Sequence, residues 1–307
     1  MITVLGSINM DLVATPARLP RPGETVSGDS FMTVAGGKGA NQALAARRAG
    51  SMVRMAGAVG TDAFAEPAVA LLRQAGADLT LVKTVPGSTG TALILVGGDG
   101  ENMITVIAAA NGALTAADTE RALDGMQAGD ILMLQFEVPA AIVEQALNLA
   151  RQRGIRTILN LAPLVADARR LADLADIVIA NETEFELLAG EVLDSTGARE
   201  AMLRQLHAKS GQTIVVTLGG EGAMAMQEGQ FFRAHGLAIT PVDTVGAGDT
   251  FCGYLAAALD RGADLGAALR HAAVAGSLAC LNRGAQAAIP LQAEVDMAML
   301  AAAEALS

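Results

Sequence analysis

Residues 243–251 read Asp-Thr-Val-Gly-Ala-Gly-Asp-Thr-Phe, a glycine-rich turn followed by a carboxylate and then by an apolar, helix-forming segment. Gly246, Ala247 and Gly248 have almost no side chain, so backbone N–H groups here can surround a phosphate at the positive N-terminal end of the following helix. Asp249 would lie beside that phosphate, where a carboxylate can take the proton from an attacking hydroxyl group. The stretch predicts an anion hole with an adjacent base; the alternative interpretation is a helix start capped by Asp249, with no ligand.

Around this stretch, short apolar runs alternate with segments of helical period. The runs of strand length are residues 2–5, 53–56, 131–134, 157–161, 177–179 and 214–218. The helical segments include residues 42–49, 64–74, 140–153 and 197–210. Continuous hydrophobic strands separated by helices are typical of a parallel sheet that is covered on both faces. The pattern predicts an α/β fold with a doubly wound, mostly parallel sheet sandwiched by helices, and residues 251–307 are interpreted as packed helices.

A second glycine-rich segment, residues 35–43, reads Ala-Gly-Gly-Lys-Gly-Ala-Asn-Gln-Ala and also precedes a helical pattern. Together the two segments resemble the two signatures of the ribokinase-like (PfkB) family of carbohydrate kinases. Shorter stretches fall in the family's order at residues 6–11, 22–26, 134–137, 181–184, 217–219 and 283–286. The resemblance extends over the whole chain. It implies a single ribokinase-like α/β domain, residues 1–307, that transfers a phosphoryl group from ATP to a sugar.

Two segments interrupt the alternation of strands and helices. Residues 12–34 contain several prolines without a helical period, and residues 91–107 are two β-rich runs around a Gly-Gly-Asp-Gly hairpin turn at 97–100. In the family such pieces form a small β-sheet lid over the sugar, so the resemblance implies a lid at about residues 9–36 and 88–108. A small open sheet exposes apolar surface and unpaired edges. We therefore expect a homodimer through the β lid, although substrate and loops would also cover such an edge.

The resemblance implies a sugar site that is built mostly from polar residues of the first half of the chain. Its expected members are Asn9, Asp11, Gly37, Lys38, Asn41 and Glu137, together with Asp249. Sugar recognition needs dense, directional polar groups, because each hydroxyl group both donates and accepts, and such a site rejects analogues that lack a hydroxyl. Taken singly, Asp11 could be a turn residue and Lys38 a solvated loop charge. As a set, these residues predict polyol binding.

The resemblance also places the nucleotide at the carboxyl edge of the sheet, where α/β folds bind ligands. Thr217 and Gly219 would contact ATP, and the helical residues 272–276 would line its adenine pocket. Asn181 and Glu184 would lie near the triphosphate and its Mg²⁺, with Glu184 acting mostly through bound water because Mg²⁺ dehydrates reluctantly. The alternative is a helix N-terminus with Asn181 as its cap. The two roles can coexist.

A monovalent cation site beside the anion hole follows from the same resemblance, since many family members bind potassium there. The expected ligands are Asp243 and the backbone carbonyl groups of Val245, Ala279, Asn282 and Gly284. Ala288 departs from the pattern, because a serine is common at this position and one oxygen contact would be missing. We expect K⁺ as a cofactor beside ATP and Mg²⁺.

Composition agrees with an enzyme in solution. A chain of 307 residues that is 52% hydrophobic can bury a large core. Its net charge of −11 argues against nucleic-acid or anionic-membrane partners, which both favour a basic surface. No apolar run reaches the roughly 18 residues of a membrane-spanning helix, and no basic-then-apolar signal precedes the first strand, so we expect a cytoplasmic protein. Cys252 and Cys280 lie in apolar helical stretches and indicate buried, inert thiols.

Four functions compete on the sequence. The resemblance favours transfer to the primary 5-hydroxyl of D-ribose, and the second hypothesis is a kinase of the same fold acting on a nucleoside, fructose or deoxyribose. Few aromatic residues are present for stacking a nucleoside, and only Phe31 lies in the expected lid. A catalytically silent sugar-binding protein is the third hypothesis, against which the intact Asp249 argues. A nicotinamide-dependent enzyme lacks support, because no Gly-x-Gly-x-x-Gly follows the first strand.

Overall fold

The computed structural model of the protein describes residues 1–99 and 101–304. Its strands are β1 (Ile2–Leu5), β2 (Asn9–Pro16), β3 (Gly28–Gly36), β4 (Val53–Val59), β5 (Asp78–Thr84), β6 (Gly90–Val96), β7 (Asn102–Ile107), β8 (Ile131–Leu134), β9 (Arg156–Asn160), β10 (Ile177–Ala180), β11 (Thr213–Thr217), β12 (Ala223–Gln227) and β13 (Gln230–Ala234). Its α-helices are α1 (Lys38–Arg48), α2 (Ala65–Gln74), α3 (Ala116–Leu123), α4 (Ala140–Arg153), α5 (Ala168–Ala172), α6 (Glu182–Ala189), α7 (Thr196–Ser210), α8 (Ala247–Asp260), α9 (Leu265–Ala279) and α10 (Gln292–Glu304). No helix within the described ranges has the length and apolar character that a membrane crossing requires.

Nine strands of the described chain form one large sheet in the order β13-β12-β11-β10-β9-β8-β1-β4-β5. Neighbouring strands run parallel from β11 to β5, and the β11–β12 and β12–β13 pairs are antiparallel. Helices pack on both faces of this sheet. The predicted doubly wound, mostly parallel α/β fold is confirmed.

Successive side chains of the buried strands pack on opposite faces of the large sheet, because a strand points its residues alternately up and down. In β8, Ile131 and Met133 join the core that includes α1, α8 and α9, whereas Leu132 and Leu134 join the core that includes α3, α4 and α7. This burial on both faces explains why the strands are continuous apolar runs rather than alternating ones.

The strand order of the large sheet reverses at β1, because β4 lies on one side of β1 and β8 lies on the other. In open α/β sheets, ligands bind at such a point, outside the carboxyl ends of the strands. Asn9 follows β1, Glu137 follows β8 and Asn181 follows β10. The topology therefore brings residues of the predicted sugar and nucleotide sites to one edge of the sheet.

Four strands form a second sheet in the order β3-β2-β6-β7, called the small sheet below. These strands come from the two segments that the sequence assigns to a lid. The described residues between β6 and β7 are 97–99 and 101, and the N–H of Gly97 donates to the carbonyl oxygen of Glu101 at 2.8 Å. Gly100 of the predicted turn and residues 305–307 of the predicted domain lie outside the described residues.

Strand register sorts the side chains of the small sheet into two faces, because directly paired residues lie on the same face. Asp11 pairs with Val34 and with Ala92, and Ala92 pairs with Val106. Ile104 lies two residues from Val106 on the same face and is 55% exposed. The face that carries Asp11 therefore continues outward as apolar surface.

Three strands of the large sheet, β5, β12 and β13, were not predicted. β5 is the partly exposed edge strand, so it lacks the continuous apolar run of a central strand. β12 reads Ala-Met-Ala-Met-Gln, a composition that favours helix more than strand. Its antiparallel pairing with β11 and β13 decides its conformation instead.

Candidate active site

Asp249 lies in the first turn of α8, which begins after Gly246. The backbone of Gly246 has a φ of 76°, and a Cβ added to it would lie 2.8 Å from the Cα of Ala285, so this turn requires glycine. The N–H of Ala247 points to a neighbouring carbonyl oxygen at 3.3 Å, whereas those of Gly248 and Asp249 have no backbone acceptor among the described residues. Free N–H groups at a helix N-terminus can bind an anion.

The carboxylate of Asp249 is 8% exposed and accepts a hydrogen bond on each oxygen. Asn41 Nδ2 donates to Oδ2 at 2.9 Å, and Gln42 Nε2 donates to Oδ1 at 3.0 Å. Both amides belong to α1, which begins in the second glycine-rich segment. The two signatures, far apart in the chain, therefore meet at the predicted base.

The start of α1 also brings together other residues of the predicted sugar site. Glu137 Oε2 accepts hydrogen bonds from the hydroxyl group of Ser7 at 2.6 Å and from the backbone N–H of Lys38 at 3.0 Å. Gly37 is the N-cap residue of α1, and a Cβ added to it would lie 2.8 Å from the backbone nitrogen of Asn9. These predicted residues converge on one region between β1, β8 and α1.

The pKa values of Lys38 and Asp11 are both raised within this cluster. Burial lowers the pKa of Lys38, but the carboxylates of Asp249, Glu137 and Glu184 outweigh burial, so that the pKa is raised and the ammonium group stays charged. Burial raises the pKa of Asp11 to about 7, an effect to which the carboxylates of Glu137 and Asp249 add and which Lys38 opposes. Asp11 therefore exchanges its proton near neutral pH.

Asn181 and Glu184 form a reciprocal cap at the start of α6. Glu184 N–H donates to Asn181 Oδ1 at 2.8 Å, while the backbone N–H and the Nδ2 of Asn181 donate to the two oxygens of Glu184 at 2.9 and 3.0 Å. Burial raises the pKa of Glu184, and the hydrogen bond from Asn181 opposes this effect. Asn181 therefore caps α6, and the carboxylate of Glu184 still lines the site.

A cavity of about 230 Å³ lies in front of Asp249. Its polar lining includes Lys38, Asn160, Asn181, Glu184, Thr217 and Asp249. The cavity therefore brings together the predicted base Asp249, the ammonium group of Lys38, and Asn181 and Glu184, which are predicted to lie near the triphosphate. Five predicted sugar residues are not part of this lining but adjoin it through Lys38 and through the Asn41–Asp249 hydrogen bond: Asn9, Asp11, Gly37, Asn41 and Glu137.

A larger cleft of about 600 Å³ shares Asn181, Thr217 and Gly248 with that cavity. The rest of its wall includes the predicted Gly219, the side chain of Phe251 and the small residues Ala273, Gly276 and Ser277 of α9. Small side chains leave space beside α9, and a volume of this size accommodates a nucleotide-sized ligand. The region predicted to bind adenine therefore borders an open cleft.

The carboxylate of Asp243 is hydrogen-bonded to two of the segments that are predicted to hold a monovalent cation. Its Oδ1 accepts from the N–H of Val245 at 3.0 Å and its Oδ2 from the N–H of Gly284 at 2.9 Å. The N–H of Asn282 lies 3.4 Å from the carbonyl oxygen of Ala279. Within the described ranges, no three His, Cys, Asp or Glu side chains converge as a metal site. A cation here would depend mainly on backbone carbonyl oxygens.

A family model identifies the chain independently of this geometry. The model of the pfkB family of carbohydrate kinases matches residues 1–292. The chain belongs to this family. The glycine-rich signatures predicted that membership, and it is confirmed.

Curated and structural relatives of this pfkB kinase cover nearly its whole length. It is 35% identical over 295 residues to the ribokinase of Haemophilus influenzae, which covers 95% of the chain and 96% of the relative. It is 34% identical over 291 residues to the deoxyribokinase of Salmonella typhi, with coverage of 94% and 95%. The structure of Arabidopsis thaliana ribokinase complexed with ribose and ATP matches with a TM-score of 0.86 at 31% identity, covering 96% of each chain.

Asn111 is a residue of the pfkB kinase site that sequence reasoning missed. It lies in the 3-10 helix after β7, is 1% exposed, and accepts from the N–H of Ile8 at 2.9 Å. Its Nδ2 donates to Asn9 Oδ1 at 2.7 Å. This bond fixes the orientation of the Asn9 amide and leaves its NH₂ group for a ligand. A polar residue just after a β-rich run was the only sequence signal.

Gln42, Gln135 and Asn160 were also missed as site residues. Gln42 and Gln135 stand inside quoted motifs but received no role, and Asn160 ends β9. All three side chains are at most 9% exposed. A polar residue inside an otherwise apolar, helix-packed segment is the signal that could have identified them.

Proposed function

We propose that this pfkB kinase transfers the γ-phosphoryl group of ATP to the 5-hydroxyl group of D-ribose, with Asp249 as general base. The observation that carries the proposal is the environment of Asp249. Its buried carboxylate is held by amide donors at 2.9 and 3.0 Å and faces a cavity that also contains Lys38. The ribokinase relatives favour D-ribose as the acceptor and ATP as the donor.

In this reaction the acceptor oxygen bonds to the γ-phosphorus while the bond from that phosphorus to the bridging oxygen of ADP breaks. The hydroxyl proton moves to Asp249. Lys38 and the N–H groups of Gly248 and Asp249 would stabilise the negative charge of the transferred group. The adenosine part of ATP would occupy the 600 Å³ cleft beside Thr217 and Gly219.

The sugar would be held by groups that still have free hydrogen-bonding capacity. Asn41 Oδ1 is buried without a hydrogen-bond partner, beside the Nδ2 that donates to Asp249. A sugar hydroxyl would satisfy that oxygen, because buried acceptors are almost always paired in working sites. Asn9 would donate its amide NH₂, and Asp11 and Glu137 would accept further hydroxyl groups.

Mg²⁺ and K⁺ belong to the proposal as cofactors. Glu184, whose oxygens also accept from Asn181, would hold Mg²⁺ through water because Mg²⁺ dehydrates reluctantly, and the bound metal would neutralise triphosphate charge. The carbonyl groups around Asp243 would hold K⁺. Turnover should stop in excess chelator and fall when a large organic cation replaces K⁺ at constant ionic strength, and unchanged rates would contradict each assignment.

We further propose that the small sheet closes over the sugar as a lid and that two subunits pair through it. Asn9 and Asp11 begin β2, so this sheet and the sugar site share the same strand. We place the reaction in the cytoplasm, where ATP is supplied.

The acceptor is tested by ADP release with Mg²⁺ and K⁺ across D-ribose, 2-deoxy-D-ribose, D-fructose, fructose 6-phosphate, adenosine, inosine and cytidine. We expect the highest kcat/KM with D-ribose. The deoxyribokinase relative makes 2-deoxy-D-ribose the second candidate. A preference for it would retain the chemistry of Asp249 but assign the sugar residues to a different acceptor, and no turnover with any acceptor would support a silent binding protein.

The base is tested with Asp249→Asn, which keeps the size of the side chain and removes its basicity. We expect kcat to fall at least about a hundredfold while sugar binding, measured by calorimetry, stays within a few-fold. Asp264→Asn is the matched control, because Asp264 caps α9 by accepting from the N–H of Ala267 at 2.9 Å and lies outside the site. Retained turnover in Asp249→Asn would contradict the assignment of the base.

A further inference from the structure

Gln42 and Gln135 form a buried chain of amide groups that ends on Asp249. Gln42 Nε2 donates to Asp249 Oδ1 at 3.0 Å, and Gln135 Nε2 donates to Gln42 Oε1 at 2.7 Å. Both glutamine side chains are fully buried. Gln135 follows β8 and Gln42 lies in α1, so the chain of amides runs from the edge of the large sheet to the helix that carries the carboxylate.

The groups around Gln42 allow only one orientation of its amide. The ionised carboxylate of Asp249 can only accept. Asn160 Oδ1, 3.5 Å from Gln42 Nε2, also needs a donor, because the Nδ2 of Asn160 is directed to the carbonyl oxygen of Ile179 at 3.4 Å. Gln42 therefore turns its NH₂ group to both acceptors, and its Oε1 must meet a donor, which Gln135 supplies.

Gln135 completes this arrangement but leaves one of its own polar atoms without a hydrogen bond among the described residues. Its own Oε1 is buried without a hydrogen-bond partner in the described chain. An unpaired buried oxygen destabilises a fold, so a polar chain that leaves one calls for a functional explanation. Apolar side chains of similar size would fill the same space without that cost.

We propose that Gln42, oriented by Gln135, is a positioning residue that keeps the carboxylate of Asp249 ionised and turned toward the acceptor hydroxyl group. The inference rests on the proposed function, since it takes Asp249 as the base. A hydrogen bond to the charged form of a carboxylate favours that form. Each oxygen of Asp249 keeps a further lone pair, so the bonds from Asn41 and Gln42 leave room for the transferred proton.

The charged groups that face Asp249 show why neutral donors matter there. Asp11 and Glu184 contribute negative charge when ionised, Lys38 contributes positive charge, and the thiol of Cys252 is buried with its pKa raised well above its usual value by burial. A second or third carboxylate in a buried site disfavours ionisation of the first. The amide donors oppose that effect without adding charge.

The test is the pH dependence of kcat/KM for the best acceptor in Gln42→Met and Gln135→Met. Methionine approximates the length of glutamine and removes its donors. Gln42→Met should lower kcat about 10- to 100-fold and change the sugar KM less than about threefold. The acid limb, where kcat/KM falls as the pH is lowered, should move to higher pH by about one unit. Gln135→Met acts through Gln42 and should move the same limb by a smaller amount.

Gln212→Met is the matched control. The Nε2 of Gln212 donates to the carbonyl oxygens of Ala172 and Ala175 at 2.7 and 2.6 Å, next to the amino end of β11 and away from the carboxyl edge that holds the site. This variant loses two partly buried hydrogen bonds of a glutamine that has no hydrogen-bond route to Asp249 through the described residues. It should keep the wild-type acid limb.

An acid limb at the wild-type pH in both Gln42→Met and Gln135→Met would overturn the inference, and so would an equal shift in Gln212→Met. If Gln42→Met does not fold, Gln135→Met and Gln42→Glu decide, since a glutamate at 42 places a carboxyl group against Asp249 and should also move the limb upward. Failure of the proposed function is distinct: it would appear as no turnover in the wild-type enzyme or as retained turnover in Asp249→Asn.

Discussion

The ionisation of Asp11 should be measurable in the stability of the sugar-free protein. Its pKa of about 7 exceeds its ordinary value of 3.8, so the folded state binds this proton more tightly than the unfolded chain. The resulting stabilisation is full below about pH 4 and is lost as the pH rises through about 7. Asp11→Asn lacks that loss. The free energy of unfolding of Asp11→Asn minus that of the wild type should therefore increase by roughly 2–4 kcal/mol between pH 4 and pH 8.

Urea unfolding at a series of pH values measures this difference. Asp29→Asn is the control, because Asp29 is an exposed carboxylate in β3 of the same small sheet. Its stability should follow the wild-type pH curve. Parallel curves for Asp11→Asn and the wild type would show that the site does not hold Asp11 protonated.

At the scale of secondary-structure elements, the close packing of α1 against α8 sets the geometry of the site. A Cβ added to Gly253 of α8 would touch the Cβ of Ala45 and would lie 2.6 Å from the carbonyl oxygen of Gln42. Gly253→Ala should therefore force the two helices apart. We expect a loss of stability of roughly 1–3 kcal/mol, despite the better helix propensity of alanine. Turnover should also fall, because α1 carries Asn41 and α8 carries Asp249.

Gly197→Ala is the control for this prediction, since Gly197 lies in α7 and a Cβ added to it would meet no atom within 4 Å. It should leave stability unchanged or slightly raised. Thermal unfolding and kcat report the two effects separately. Equal stability of the two variants would show that α1 and α8 adjust without strain.

At the scale of the whole molecule, the small sheet exposes several large apolar side chains, as interaction surfaces do. Met32 is 41% exposed, Ile104 55% and Val106 49%, and all three lie in its edge strands β3 and β7, on the face that carries Asp11. The proposed dimer would bury this surface and cover the unpaired edges. Sedimentation equilibrium at micromolar concentration should give the mass of a dimer, and Ile104→Arg should shift it to a monomer. Val192→Arg, at a side chain 81% exposed outside the small sheet, should not.

Local pattern was enough to predict most of the large sheet and to nominate the residues of the candidate site. The apolar runs marked β1, β4 and β8 to β11 because strands buried on both faces must be apolar throughout. The segments at 35–43 and 243–251 predicted phosphate chemistry because a phosphate requires close-lying backbone N–H groups, and glycine provides that access locally. These are properties of a few consecutive residues, which a single chain displays without its fold.

Contacts between distant residues had to come from the tertiary structure. Gln135 and Gln42 are 93 residues apart, and Asn111 and Asn9 are 102 apart, so no local pattern relates the members of either pair. β12 was missed because pairing with β11 and β13 overrides its helix-favouring composition. The raised pKa of Asp11 likewise needs its burial and the carboxylates of two other segments. The residue types follow from the chain alone. Which of them share a hydrogen bond or a low-dielectric site depends on packing, because those energies are set by the distances and the burial that the folded chain imposes.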